Sequence, residues 1–233
     1  MQKEQNIDCK QCGKSIGSLF YCLSKSDLEL LNKNRISHIY QRGQVIFYEG
    51  NPAFAMYCIY SGRVKLYKQR KNGEPRVIRL LGPGDVMGYR AIFANEPYAV
   101  TAEAVETTTI CTVSKDALFR VLKKSPELTF QFLSKLSKEL KISEEQILII
   151  TDDSITQRTC KLLLSLLKVS PYKEKSTNVI KCPLSRNEMA QMIGTSPETL
   201  SRILHSLQKK GIIYLKGSEI TITKFSELIG LAN

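Results

Sequence analysis

Residues 184–217 read LSRNEMAQMIGTSPETLSRILHSLQKKGIIYLKG, and this stretch carries two short helical patterns joined by a tight turn. Ser185, with Glu188 three residues later, has the spacing of a capping box and predicts the start of the first helix. We expect Gly194 to end that helix, because glycine adopts the positive φ of a helix C-cap without a steric penalty.

The second helix is predicted to begin with Ser196 as its N-cap and Pro197 at its first position. Its apolar residues recur at helical spacing, which predicts a buried face made of Leu200, Ile203, Leu204 and Leu207. Two short helices around a turn indicate a helix-turn-helix. Beyond Gly211, residues 212–223 (IIYLKGSEITIT) predict a hairpin of two strands, which would be the wing of a winged helix.

The polar residues of the second helix suit the edges of DNA bases. A Glu carboxylate accepts from a cytosine amino group, an Arg fork bonds guanine at two acceptors, and a Ser hydroxyl pairs with either kind of edge. We therefore predict DNA contacts for Glu198, Ser201, Arg202, Thr199, Ser196 and Arg186. An ordinary helical hairpin with a solvated polar face is the alternative interpretation.

Charge also favours a nucleic-acid partner. The 233-residue chain has a net charge of +12, and the part from Ser154 onward holds 12 Lys and Arg against 5 Asp and Glu. The basic excess is thus concentrated near the helix-turn-helix, which suits a phosphate backbone. No run of 18 apolar residues predicts a membrane span, and residues 1–15 lack an apolar signal core, so we expect a cytoplasmic protein.

Residues 36–114 show a different pattern, with short runs rich in β-branched and aromatic residues that are separated by glycines. Such runs predict an antiparallel roll of jelly-roll type, preceded by a short helix at residues 24–31.

A long helix should follow the roll, with Ser125 as its N-cap and Pro126 at its first position. Its residues at 3-4-3-4-3 spacing are typical of a coiled-coil seam, here Leu133, Leu136, Leu140, Ser143, Ile147 and Ile150. We interpret the seam as a homodimer interface that the polar Ser143 weakens. Packing of the helix on its own roll is the alternative.

The predicted chain is therefore α+β, with four segments. They are a cysteine-rich segment (residues 1–23), a β-roll sensor domain (24–124), a dimerisation helix (125–153) and a winged helix-turn-helix domain (154–233).

This order of parts resembles the CRP/FNR family of bacterial transcription regulators, over nearly the whole chain and most closely in its FNR branch. The resemblance is carried by GDVMGYRAI (residues 84–92), AVETTTICTV (104–113), SKELKISEEQILII (137–150), SPETLSRIL (196–204) and KGSEITI (216–222). It implies a roll like a cyclic-nucleotide-binding domain, a homodimer on a palindromic DNA site with TTGAT-like half-sites, and RNA polymerase as a partner. The family mostly activates transcription.

The resemblance does not extend to cyclic-nucleotide binding. The positions that bind the ribose and the cyclic phosphate in the cyclic AMP-binding branch are occupied here by Tyr89, Tyr98 and Ala99. We expect no cyclic nucleotide.

The cysteines point to a metal. Seven cysteines in a chain expected to be cytosolic argue against a disulfide framework. The FNR resemblance implies a [4Fe–4S] cluster on Cys9, Cys12, Cys22 and Cys111, destroyed by oxygen with release of DNA. However, ungapped alignment puts Ser18 at the third N-terminal ligand position, four residues before Cys22.

Other interpretations remain open at this point. The four thiolates suit structural zinc, the cysteines could form a redox pair, or the regulator could sense another signal such as nitric oxide through haem. A cupin-like enzyme would need several His ligands in the roll, where only His38 is available, and a protein-binding adaptor would not bind DNA. Three further cysteines lie in apolar patterns and are predicted to be core residues: Cys58, Cys160 and Cys182.

Overall fold

The computed structural model describes Leu19 and residues 24–70, 73–169 and 178–233. The chain divides into two compact units, one formed by residues up to Lys68 with Leu81–Lys141, the other by Gln69–Leu80 with Ile142–Asn233. Among the described residues, no helix has the length and apolar content that a membrane crossing requires.

The first unit is built around an antiparallel β-roll, as predicted. It opens with helix α1 (Lys25–Lys33), whose N-cap Ser24 accepts a hydrogen bond from the Asp27 backbone N–H. Eight strands follow in the described chain: β1 (Arg35–Tyr40), β2 (Val45–Phe47), β3 (Ala55–Ser61), β4 (Val64–Gln69), β5 (Pro75–Leu81), β6 (Val86–Met87), β7 (Thr101–Ala104) and β8 (Thr108–Ser114). They form two four-stranded sheets with strand orders β1-β8-β3-β6 and β2-β7-β4-β5.

Aromatic side chains fill the interior of the roll. Tyr98 stacks on Phe47 with ring centroids 4.2 Å apart, and Tyr57 stacks on the same Phe47 ring at 5.1 Å. The Tyr98 hydroxyl donates to the Ala55 carbonyl at 2.7 Å and accepts from the Ala55 N–H at 3.2 Å. The two sheets are therefore held together by buried rings whose one polar tip is satisfied by backbone groups.

Two helices of the first unit are not predicted by the sequence pattern. Helix α2 (Tyr89–Ala94) has only six residues and begins at Gly88 without a side-chain cap. Helix α3 (Lys115–Lys124) begins directly after β8, with Ser114 as its N-cap. Because α3 follows a β-rich run without a turn signal, its start is hidden in the strand pattern.

Helix α4 (Pro126–Asp152) is the predicted long helix and begins at the predicted residue. The Ser125 hydroxyl accepts from the Leu128 backbone N–H at 3.4 Å. Leu128 and Phe132 are buried against the roll, whereas almost every residue from Leu140 to Asp152 is exposed.

The second unit contains the predicted winged helix. Its elements in the described chain are α5 (Ile155–Lys168), β9 (Val179–Lys181), α6 (Arg186–Ile193), α7 (Pro197–Lys209), β10 (Ile213–Lys216), β11 (Glu219–Ile222) and α8 (Phe225–Ala232). Strand β11 lies between β10 and β9 in an antiparallel sheet, so the wing is a hairpin with a third strand beside it. Helix α8 is not predicted by the sequence, since it has no side-chain cap.

Arg158 of α5 connects the end of the long helix to the helix-turn-helix. Its Nε donates to the carbonyls of Ile149 and Asp153, both at 3.1 Å, and one Nη donates to the Ile150 carbonyl. The other Nη donates to the Ile193 carbonyl, the last residue of α6, at 3.4 Å. One cation thus satisfies terminal carbonyls of two helices, where the helix dipole is negative.

Gly62 is required by a close approach of chains, and this generates a test of the roll. Both Gly62 and Gly43 have positive φ, 82° and 84°. A Cβ on Gly62 would collide with the Thr108 side chain and lie 2.6 Å from the Thr107 carbonyl oxygen, whereas a Cβ on Gly43 would meet nothing within 4 Å.

Gly43→Ala should therefore cost about 1–2 kcal/mol for its backbone conformation alone. Gly62→Ala should cost a further 2 kcal/mol or so, because the backbone must also move. Urea denaturation followed by tyrosine fluorescence measures both, and equal losses would contradict the close approach.

Candidate DNA-reading surface and cysteine site

The two helices of the predicted helix-turn-helix are set by their caps. Ser185 and Glu188 form the predicted capping box, with reciprocal bonds of 3.2 and 2.8 Å. Gly194 ends α6 at φ 71°. Ser196 caps α7 by accepting from the Thr199 N–H at 3.2 Å, and Pro197 is the first helical residue.

The predicted apolar face of α7 is largely confirmed. Leu200, Leu204 and Leu207 are buried, while Ile203 is only half-buried. Ile203 instead borders a shallow groove between α7 and the start of α5, which is why the prediction of full burial is wrong for this residue.

The opposite face of α7 presents the predicted base-reading residues to solvent. Glu198 and Arg202 are exposed, and Ser201 is half-buried between them. Hydrogen bonds from its own backbone N–H and from the Ser196 hydroxyl hold the pKa of the Glu198 carboxyl below its usual value. The carboxylate is therefore ionised at neutral pH, which is the state that accepts from a cytosine amino group.

A chain of hydroxyl groups positions Arg202. The Ser196 hydroxyl donates to the Thr199 hydroxyl at 3.2 Å, and an Arg202 Nη donates to the same Thr199 oxygen at 3.1 Å. The three residues lie three positions apart and therefore share one side of the helix. The sequence signal was present in this spacing, but the sequence analysis treated Thr199 and Ser196 only as DNA contacts.

Arg186 lies on α6 rather than on the reading helix. It is half-buried, with one Nη 3.5 Å from the Met189 sulfur. The structure does not bring it into the hydroxyl chain of α7, and its contact with DNA stays a prediction.

Basic and aromatic residues continue the exposed surface beyond α7. Lys209 and Lys210 at the end of the helix are exposed, as are Tyr214 and Lys216 on strand β10. The sequence analysis did not single out Tyr214, although the alternation of buried and exposed residues in β10 carries that signal.

The positions that bind a cyclic nucleotide in related proteins are filled by core residues. Tyr98 is 2% exposed and belongs to the aromatic interior, and Tyr89 is buried on the other side of the sheet against Phe93 and Phe132. Both rings take up space inside the packed core, and neither carries a fixed positive charge for a phosphate.

The predicted cluster ligands divide between described and undescribed residues. Cys9, Cys12 and Cys22 lie outside the described part of the chain. Cys111 lies on β8 and is 4% exposed. Burial raises the pKa of its thiol, and the Arg35 guanidinium, whose Nη1 is 3.8 Å from the sulfur, opposes that rise.

The other cysteines confirm the core prediction only in part. Cys160 and Cys182 are buried, but Cys58 is half-buried and faces Cys111 directly across β3 and β8. The prediction of a plain core role is incomplete for Cys58, because strand register is invisible in a single apolar run. In the described ranges, no three His, Cys, Asp or Glu side chains gather as a metal site.

Comparisons with known proteins agree with this architecture. The profile "Cyclic nucleotide-binding domain" matches residues 37–125, and "Crp-like helix-turn-helix domain" matches residues 157–231. The "Anaerobic regulatory protein" of Pasteurella multocida is 30% identical over 97% of this chain and 83% of its own length. The "Fumarate and nitrate reduction regulatory protein" of Vibrio cholerae is 29% identical over 97% of this chain and 90% of its own.

Solved structures share the fold. FixK2 from Bradyrhizobium japonicum superimposes with a TM-score of 0.77 at 22% identity, over 85% of this chain and 98% of its own. The Catabolite Activator Protein of Thermus thermophilus has a TM-score of 0.52 at 25% identity, over 92% of this chain and 97% of its own.

The hydroxyl chain on α7 predicts distinct losses for two variants. Arg202→Ala should weaken binding by about 1–3 kcal/mol and relax specificity at one base pair. Thr199→Val should relax specificity at the same base pair by a smaller amount, since it removes the acceptor that orients Arg202, and Thr199→Ser should restore it.

Fluorescence anisotropy at fixed salt, with every base substituted in turn, measures these effects. Lys210→Ala is the control and should weaken all sequences alike. A uniform loss for Arg202→Ala would contradict base reading.

Proposed function

This chain belongs to the CRP/FNR family of transcription regulators, and from that premise we propose that it is a homodimeric, oxygen- or redox-responsive regulator of the FNR type. Its relatives and fold are those of DNA-binding regulators and not of enzymes. The observation that carries the proposal is the exposed face of α7 with Glu198, Ser201 and Arg202, set beside a buried cysteine on the sensor roll.

The proposed DNA site is a palindrome of TTGAT-like half-sites. Glu198, Ser201 and Arg202 would read base edges, with Thr199 and Ser196 beside them and Arg186 at the start of α6. Support comes from the ionised state of Glu198 and the fixed orientation of Arg202. RNA polymerase is the proposed protein partner, and a DNA target of this kind implies work in the cytoplasm.

A second copy of the chain is the proposed partner of α4. Along the predicted seam, Leu133, Leu140, Ile147 and Ile150 are all more than half exposed, and Ser143 is exposed among them. Leu136 differs, since it packs partly on the roll's own core. A row of large apolar side chains facing solvent over several turns is costly in water, and pairing with the same row of a second copy removes that cost.

The proposed signal is a [4Fe–4S] cluster held by Cys111 and cysteines of the N-terminal segment: Cys9, Cys12 and Cys22. The described donor fits, because Cys111 offers a shielded sulfur beside a guanidinium that offsets thiolate charge. When bound, such a cluster supplies an oxygen-labile link between that segment and the roll. The chain's own part is to supply the thiolates and to couple their position to α4, which begins two helices later.

The proposed dimer is tested by one pair of neighbouring residues on α4. Ile147 on the seam and Leu148 off it are 64% and 60% exposed. Ile147→Glu should weaken the dimer roughly 100-fold or more, because each copy loses about 1.5–3 kcal/mol of apolar burial. Leu148→Glu should change it little. Sedimentation velocity over a dilution series measures both, and equal effects would contradict the seam.

The proposed cluster is tested by spectroscopy of protein purified without oxygen. The wild type should be brown, with about four iron atoms per protomer, and should bleach in air with loss of DNA binding. Cys111→Ser should be colourless and should lose the oxygen-dependent part of binding. If the wild type holds zinc and no iron after reconstitution, the redox signal is wrong while DNA reading stands.

A further inference from the structure

The outer face of the roll's larger helix-covered sheet carries a pair of cysteines in direct register. Cys58 on β3 is the Cα partner of Cys111 on the antiparallel neighbour β8. Side chains of partnered residues point to the same face of a sheet, with Cβ atoms about 4.5–5.5 Å apart. The two sulfurs therefore sit side by side on one face.

The hydrogen-bond pattern defines the kind of pair more closely. The Lys115 N–H donates to the Phe54 carbonyl at 2.8 Å, one step beyond the partners Ala55 and Ser114. Hydrogen-bonded pairs alternate along an antiparallel ladder, so Cys58 and Cys111, four residues further on, are such a pair too. Their Cα atoms are then about 5.5 Å apart, which is the wider of the two spacings. The wider spacing leaves room for one metal centre to contact both sulfurs.

This face is also where the N-terminal segment arrives. Leu19 belongs to the same hydrophobic cluster as Met56 and Val113, and Cys58 packs against that cluster. Met56 and Val113 are cross-strand partners two residues from Cys58 and Cys111. From Leu19 back to Cys12 is seven residues, a chain length that spans at most about 25 Å. The Cys-x-x-Cys pair, Cys9 and Cys12, is thus within reach of the two sheet cysteines.

A cation is fixed at the same place. The Arg35 Nη1 lies 3.8 Å from the Cys111 sulfur, and its Nε donates to the Asn32 side-chain oxygen at 2.9 Å. A set of four thiolates concentrates negative charge, and a guanidinium held by its own hydrogen bond offsets part of that charge.

We propose that Cys58 is the fourth thiolate of the metal centre, so that Cys58 and Cys111 from the sheet join Cys9 and Cys12 from the N-terminal segment. This rests on the proposed cluster and changes its ligand set, because Cys22 then has no place in it. Each thiol loses its proton to solvent on binding the metal. The arrangement accounts for Ser18 at the third N-terminal position, since the missing ligand is supplied by strand register.

Three cysteine variants and the wild type, each reconstituted with iron and sulfide without oxygen, test this ligand set. Cys58→Ala should hold less than half of the wild-type iron and sulfide, and Cys22→Ala should hold as much as the wild type. Cys160→Ala is the matched control, a buried cysteine in the other unit, and should also load fully. Far-UV circular dichroism verifies that each variant is folded.

A second readout keeps the test independent of variant folding. Alkylation of the wild type with iodoacetamide, read by mass spectrometry, should spare Cys58 in loaded protein and modify it after chelation, with Cys22 reactive in both states. Full iron in Cys58→Ala, or protection of Cys22 with Cys58 still reactive, would overturn the proposal and leave the proposed function standing. A wild type without iron would overturn the proposed cluster and the ligand set together.

Discussion

The Arg158 guanidinium is the interaction on which the use of the second unit depends. It donates to carbonyls of Ile149, Ile150 and Asp153 at the end of α4 and to the carbonyl of Ile193 at the end of α6. Both helix ends carry the negative pole of the helix dipole, so one cation stabilises both. Since Ile193 directly precedes the turn into α7, a change at the end of the long helix is transmitted to the reading helix through hydrogen bonds rather than through a flexible link.

The roll is organised so that its interior and its outer face have separate tasks. The stacked rings of Phe47, Tyr57 and Tyr98 fill the interior, leaving the space between the sheets to packing rather than to a nucleotide. The outer face of the sheet containing β8 carries Cys111, Arg35 and Cys58, together with the hydrophobic cluster that includes Leu19. A signal at this outer face lies close to α3 and the start of α4, which pack on the same cluster, and needs no ligand in the core.

Much of the fold could be predicted from the sequence. The capping boxes, Gly194, Pro126 and Pro197 predicted four helix boundaries, because caps and breakers act on the adjacent backbone alone. Helices α2 and α8 begin without a side-chain cap, and α3 follows a strand directly, so none of the three leaves a local signal. The exposure of the α4 seam was likewise implied by heptad spacing before any contact was known.

The sequence by itself therefore determined the reading helix, with Glu198, Ser201 and Arg202 on one side and leucines on the other, because a helix of known period assigns every residue to a face. Only the tertiary structure decided that Cys58 lies opposite Cys111 and that Arg158 joins two helix ends. Those pairs are separated by tens of residues, and their meeting depends on strand register and helix packing, which no short-range pattern encodes.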